Sequence, residues 1–158
     1  MAGDENKLGV GDRIPDFTLP DQRERPFRLS EHLGRGPLVL YFYPGDDTPG
    51  CTREACTFRD RYEDFLEAGA EVIGVSSDST GSHRDFSSRY SLPFILLSDE
   101  KGALRKKLGV PSTLGLLPGR VTYILDREGT VRHIFSSQLN TSKHVAEALR
   151  VIGELKGD

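Results

Sequence analysis

Cys51 and Cys56 are the only two cysteines in the 158-residue chain, and they stand five positions apart in a segment suited to making one of them reactive. The run Tyr41-Phe-Tyr-Pro-Gly-Asp-Asp-Thr-Pro-Gly-Cys-Thr-Arg-Glu-Ala-Cys56 ends an apolar stretch and starts a helical pattern within a few residues. Junctions of this kind, at the end of a central strand, are where α/β folds bind ligands. Pro49 and Gly50 turn the chain so that Cys51 falls near the first helical position. Backbone N–H groups there have no intrahelical acceptor, and the positive end of the helix dipole favours an anion. A thiolate is such an anion, so the sequence predicts a nucleophilic Cys51 rather than a buried structural one.

Helix geometry limits what the pair can do together. With a rise of 1.5 Å and a turn of 100° per residue, two Cα atoms five residues apart are separated by roughly 8.7 Å. A disulfide needs less than about 7 Å. The two sulfurs therefore cannot bond inside an intact helix, and a thiol–disulfide cycle must unwind its first turns each time. A permanent staple reads poorly, and so does zinc, because His32, His83, His133 and His144 stand at no ligand spacing near Cys51. No metal or cofactor is expected.

The elements that must position these residues follow a strand–helix rhythm. Leu38 to Tyr43 is a continuous apolar run that reads as a central strand covered on both faces. Thr52 to Ala68 reads as one helix, with Phe58, Tyr62, Phe65 and Leu66 at helical spacing and Gly69 closing it. Val72 to Val75 is the next strand. A helix around His83 to Tyr90 follows, with Ser82 and Asp85 as a capping box. Phe94 to Leu97 reads as a strand, Ala103 to Leu108 as a short helix, and Val121 to Leu125 with Val131 to Phe135 as a hairpin across Asp126 to Gly129. A helix from Ser142 to Leu155 ends the chain, and Phe17 to Leu19 with Pro26 to Leu29 forms a small N-terminal hairpin. The sum is an α/β sandwich with a mixed sheet, and no linker or repeat divides residues 1–158 into more than one domain.

The run Pro44-Gly-Asp-Asp-Thr-Pro-Gly-Cys-Thr-Arg-Glu-Ala-Cys-Thr-Phe-Arg59 resembles the active-site loop of the peroxiredoxins, above all their Q branch, the bacterioferritin comigratory proteins. In that family a proline, three residues, a threonine and two residues precede the peroxidatic cysteine, and here Pro44, Thr48 and Cys51 fill those places. The Q branch also carries a resolving cysteine five residues on, matched by Cys56, and an arginine opening a late strand, matched by Arg120 in Gly119-Arg-Val-Thr-Tyr-Ile-Leu-Asp126. The resemblance runs from Gly11 to the C-terminal helix. It implies a thioredoxin-like fold with a mixed central sheet flanked by helices and an N-terminal β-hairpin extension.

The activity the resemblance implies is thiol-dependent reduction of hydrogen peroxide and alkyl hydroperoxides, an antioxidant function. Cys51 would become a sulfenic acid, Cys56 would resolve it as an intramolecular disulfide, and thioredoxin or a similar dithiol reductant would recycle it. In that scheme Arg120 and the Cys51 N–H donate to the peroxide, Thr48 accepts from it, Pro44 shields the sulfur and Glu54 orients an arginine. Read without the resemblance, Thr48 is equally an N-cap, Pro44 a strand terminator and Glu54 half of a surface pair, with Arg53, Arg59 and Arg61 competing for it. His83 and Arg105-Lys-Lys107 read as ordinary exposed polar residues. A general dithiol oxidoreductase would prefer C-x-x-C and has no use for Thr48 and Arg120; a redox sensor or holdase would share both cysteines but oxidise only once.

Composition excludes other classes. Hydrophobic residues make up 36% and charged residues 28%, enough apolar material for a core. The net charge of -3, from 21 basic and 24 acidic residues without a long run of either sign, gives no electrostatic support for nucleic-acid binding. The longest apolar run, Pro37 to Pro44, is far short of the roughly 18 residues a membrane span needs. The N-terminal MAGDENKLGVGD lacks a signal peptide's basic and apolar regions, which predicts a cytoplasmic protein, although a chain already trimmed of a transit peptide would read the same way. With no long apolar stripe, a monomer is expected.

Overall fold

The computed structural model describes residues 7–110, 112–113, 117–137 and 140–156. The hairpin before the main sheet forms as expected, β1 (Thr18–Pro20) pairing antiparallel with β2 (Pro26–Arg28) and Leu19 facing Phe27. The second strand stops short of Leu29, which opens a 3-10 turn instead.

Five strands make the central sheet. β3 (Leu38–Phe42) lies in the middle, parallel to β4 (Glu71–Ser76), which is parallel to β5 (Ile95–Ser98). A two-residue pair, β6 (Ser112–Thr113) with β7 (Leu117–Pro118), stands apart from it. On the other side of β3 runs antiparallel β8 (Val121–Leu125), followed at the edge by β9 (Val131–Ser136), so the order is β5-β4-β3-β8-β9. This is the expected mixed α/β sheet, with strand ends displaced by one residue at β3, β4, β5 and β9.

The apolar run of β3 is explained by its two covered faces. Val39, Tyr41 and Tyr43 join one core cluster and Leu38, Leu40 and Phe42 the other, the alternation that a period of two dictates. The first cluster lies beneath α1 (Pro49–Asp60), α2 (Tyr62–Glu67), α3 (Thr80–Tyr90) and α5 (Thr141–Lys156). The second takes Leu104 and Leu108 from α4 (Ala103–Leu108). Gly74, opposite Tyr41 in the ladder, is required by packing: a Cβ there would sit 2.8 Å from the Tyr41 ring.

Three expectations are corrected. The helix expected over Thr52 to Ala68 is two helices broken at Arg61, whose φ of -104° and ψ of 9° end α1 and begin α2. Phe58 and Phe65 remain in the core across the break, 5.7 Å apart, while Leu66, expected on the same apolar stripe, is 53% exposed. The third helix starts three residues earlier than expected, at Thr80. Its cap is Ser79, whose Oγ accepts from the Ser82 N–H at 3.1 Å, so the Ser82–Asp85 capping box does not form. Ser82 lies inside the helix and donates its hydroxyl to Asp46.

Candidate active site

The site lies where β3 gives way to α1. Thr48 is the N-cap, in extended conformation, Pro49 takes the first helical position, and Cys51 follows in the first turn among N–H groups without intrahelical acceptors. Cys51 is 1% exposed and Cys56 half-buried; both are free thiols on the one unbroken helix.

Arg120, at the start of β8, completes the arrangement. Its Nη2 donates to the Cys51 sulfur at 3.4 Å and its Nη1 to Glu54 Oε1 at 2.6 Å. Of the arginines weighed as partners for Glu54, Arg59 donates instead to Tyr90 O and Asp60, and Arg61 to Asp64. Gly50 makes room for the guanidinium, since a Cβ there would lie 3.1 Å from Arg120 Nη2. Burial works against the Arg120 charge, but Glu54 and Cys51 outweigh it and hold the group above its ordinary value. For Glu54 the balance is reversed: complete burial pushes its carboxyl up to about 7 despite the pull of Arg120.

Beneath this pair lies His144 of α5, also fully buried. Its Nε2 faces the Ser137 carbonyl at 2.7 Å and must donate, which leaves Nδ1 to accept from the Thr122 hydroxyl at 2.7 Å. Burial lowers His144 to about 4, so its approach to Glu54 Oε2 at 3.7 Å is that of a neutral ring and not an ion pair. Glu54 Oε2 and Tyr41 Oη are the buried side-chain polar atoms without a hydrogen-bond partner among the described residues.

Thr48 and Pro44 occupy the loop leading into the helix. Thr48 Oγ1 donates to the Gly45 carbonyl at 3.0 Å, so its remaining capacity is as an acceptor; it makes no capping bond, and no hydrogen bond joins it to the sulfur among the described residues. Thr48 is exposed and Pro44 half-buried.

His83, expected to be exposed, is completely buried and anchors this loop. Its Nδ1 meets Asp46 Oδ2 at 2.7 Å and its Nε2 the Leu97 carbonyl at 2.9 Å, so both ring nitrogens face acceptors. Asp46 also accepts from Tyr43 Oη and Ser82 Oγ, while its own N–H donates to Asp78. Asp46, Asp78 and His83 lie close enough together to suggest a cation site, but their ligand atoms are engaged by these donors and by the Ser76 hydroxyl. The network joins the Gly45–Thr48 loop to α3 and β5. His83→Ala would leave a cavity and strip the buried Asp46 and Leu97 oxygens of a hydrogen-bond partner, losses that together typically cost several kcal/mol, so the variant is expected to lose about 3 kcal/mol of stability, read from the denaturant midpoint at unchanged slope. No local motif marks His83, because its partner is 37 residues away.

A family model described as the AhpC/TSA family matches residues 10–134. Peroxiredoxin Q, a chloroplastic protein of Sedum lineare, is 52% identical over 151 residues, which is 95% of this chain and 81% of that protein. The crystal structure of peroxidoxin BcpB from Mycobacterium tuberculosis superposes with a TM-score of 0.87 at 38% identity, covering 94% of this chain and 98% of that one. A bacterioferritin comigratory protein of Xanthomonas campestris, solved in trapped intermediate and ligand complexes to explain alkyl peroxide reduction, does so with a TM-score of 0.82 at 31% identity over 89% and 92%.

Proposed function

The chain belongs to the AhpC/TSA family, in its peroxiredoxin Q branch, and from that premise we propose how its residues perform the peroxidase reaction of that branch. The protein is a peroxiredoxin, a thiol peroxidase that takes peroxide substrates and a reductant. In the proposed cycle the Cys51 thiolate attacks one oxygen of ROOH in line with the O–O bond. An S–O bond forms, the O–O bond breaks, and the departing oxygen leaves as ROH with the peroxide's proton. Cys51 is then a sulfenate, protonated to the sulfenic acid. The Cys56 thiol condenses with it, releasing water and leaving a disulfide, which a thioredoxin-type dithiol reduces to two thiols by exchange.

The observation that carries this assignment is the single guanidinium of Arg120, bonded at once to the Cys51 sulfur and to buried Glu54. Glu54 fixes one edge of the planar fork, so the other is aimed at the sulfur and at the oxygens that must lie beside it in the transition state. The Cys51 N–H, in the first helical turn, is a second donor. Thr48, its proton committed to Gly45, can accept the peroxide's hydrogen and so present the correct oxygen to the sulfur. Pro44, which has no N–H to recruit water, begins the loop that carries Thr48 into α1 and in the proposed cycle shields the sulfur.

Arg120→Ala and Thr48→Val are expected to slow Cys51 oxidation by about 100-fold each, the usual scale for one transition-state contact. Stopped-flow oxidation by hydrogen peroxide measures this, and unchanged rates in both would remove these residues from the mechanism.

The proposal includes one domain over residues 1–158 and a monomer. In support, both core clusters share the central sheet, and Val10 and Leu66 are the only large apolar side chains exposed among the described residues. The Sedum relative is chloroplastic by name, and an organelle is proposed as a location beside the cytoplasm. No helix among the described residues is long and apolar enough to cross a membrane.

A further inference from the structure

The geometry points to Arg105 as a positioning residue for peroxide reduction, clamping together the two backbone segments that present Pro44 and Arg120. This inference rests on the peroxidase site proposed above. Arg105, read from sequence as exposed, is half-buried in the first turn of α4, on the sheet face opposite Cys51. Its Nη2 donates to the Tyr43 carbonyl at 3.2 Å and its Nη1 to the Gly119 carbonyl at 3.1 Å. Tyr43 immediately precedes Pro44, and Gly119 immediately precedes Arg120.

The placement answers a need of the backbone. The ladder between β3 and β8 ends with Phe42 opposite Val121, and the strands then part, one into the Pro44 loop and the other back toward Gly119. Pro44 has no N–H with which to extend the pairing. Arg105 provides two donors where the ladder cannot, and its rigid planar fork ties the two carbonyls to one group.

The guanidinium is itself held in place. Asp99 accepts from the backbone N–H groups of Leu104 at 3.1 Å and Arg105 at 3.0 Å, fixing the start of α4, and the Arg105 Cζ lies 5.5 Å from the centre of the Phe42 ring. Without Arg105 the Pro44–Thr48 loop and Arg120 could separate by fractions of an ångström. A peroxide held between them is sensitive to that separation, whereas a reagent that needs only the thiolate is not.

The test compares two reactions of Cys51 in a Cys56→Ser background, where it is the only thiol: oxidation by hydrogen peroxide and alkylation by iodoacetamide. Arg105→Ala is expected to lower the peroxide rate constant about tenfold or more while alkylation changes less than about twofold. Arg105→Lys, which keeps the charge but replaces the fork with one nitrogen, should fall between. An equal fall in both reactions would assign Arg105 to holding the thiolate's charge and overturn positioning, as would an unchanged peroxide rate. Should the alanine variant not fold, Arg105→Lys decides, and full retention of peroxide selectivity in it overturns the proposal. If Cys51 with Arg105 intact shows no preference for peroxide over iodoacetamide, the failure belongs to the peroxidase site and not to Arg105.

Discussion

Cys51→Ser is expected to reduce peroxide-dependent turnover to the uncatalysed background. The substitution exchanges sulfur for oxygen in a side chain that is 1% exposed, and it leaves the Arg120–Glu54 pair in place, so the fold and the donors around the peroxide should survive. What is lost is the nucleophile: a serine hydroxyl is not ionised near neutral pH, and among the described residues the side chain bonded to position 51 is Arg120, a donor and not a general base. A coupled assay with thioredoxin, its reductase and hydrogen peroxide measures the effect. Sustained consumption of peroxide by the serine variant would remove Cys51 from the proposed role.

Cys56→Ser is expected to separate the first step from the rest. With one equivalent of peroxide the variant should form the Cys51 sulfenic acid and then fail to turn over with thioredoxin as donor, a loss of nearly all steady-state turnover; a second equivalent is consumed only in over-oxidation. Under excess peroxide it should accumulate sulfinic acid at Cys51, visible as a mass increase of two oxygens, because no thiol intercepts the sulfenic state. The same step has a structural signature in the unsubstituted protein. Both cysteines lie on α1, where an intact helix keeps their Cα atoms roughly 8.7 Å apart. Oxidation should therefore raise amide exchange by orders of magnitude from about Thr48 to Arg59 and leave β3 and β4 protected. Identical exchange in the two redox states would rule out unwinding, and thioredoxin-linked turnover at the original rate in Cys56→Ser would rule out the resolving role.

The sequence carried the local part of this site and not the distant part. Cys51 near a helix start and the apolar run ending in Tyr43 are written in contiguous residues, and the structure places Cys51 in the first turn of α1 and β3 over Leu38–Phe42, one residue short of the run. Glu54 and Arg120 lie 66 residues apart, and only the resemblance brought them into one site. His83 and Arg105 were misread for the same reason in stronger form. Their partners are an aspartate 37 residues away and the backbone carbonyls of Tyr43 and Gly119, none of which leaves a pattern around the residue itself. The break at Arg61 was hidden differently. It involves neither proline nor glycine, and the spacing of Phe58, Tyr62 and Phe65 continues through it, so only the packing of Phe58 against Phe65 reveals that two helices share one stripe.

That break also bears on the driving force of the redox cycle. If α1 must come apart whenever the disulfide forms, the free energy of its twelve residues as a helix belongs to the thiol side of the couple. A more stable α1 makes the disulfide more oxidising and easier for a dithiol to reduce; a weaker one makes it persist. Replacing an exposed residue such as Arg53 by glycine removes up to about 1 kcal/mol of helix preference. At about 1.4 kcal/mol for 30 mV in a two-electron couple, that lowers the reduction potential by roughly 20 mV without touching either sulfur. Because the helix ends at Arg61, the tuning is confined to α1, and Phe65 on the far side can stay in the core through every cycle. In that cycle the stability of α1 is one of the contributions to the protein's standard potential.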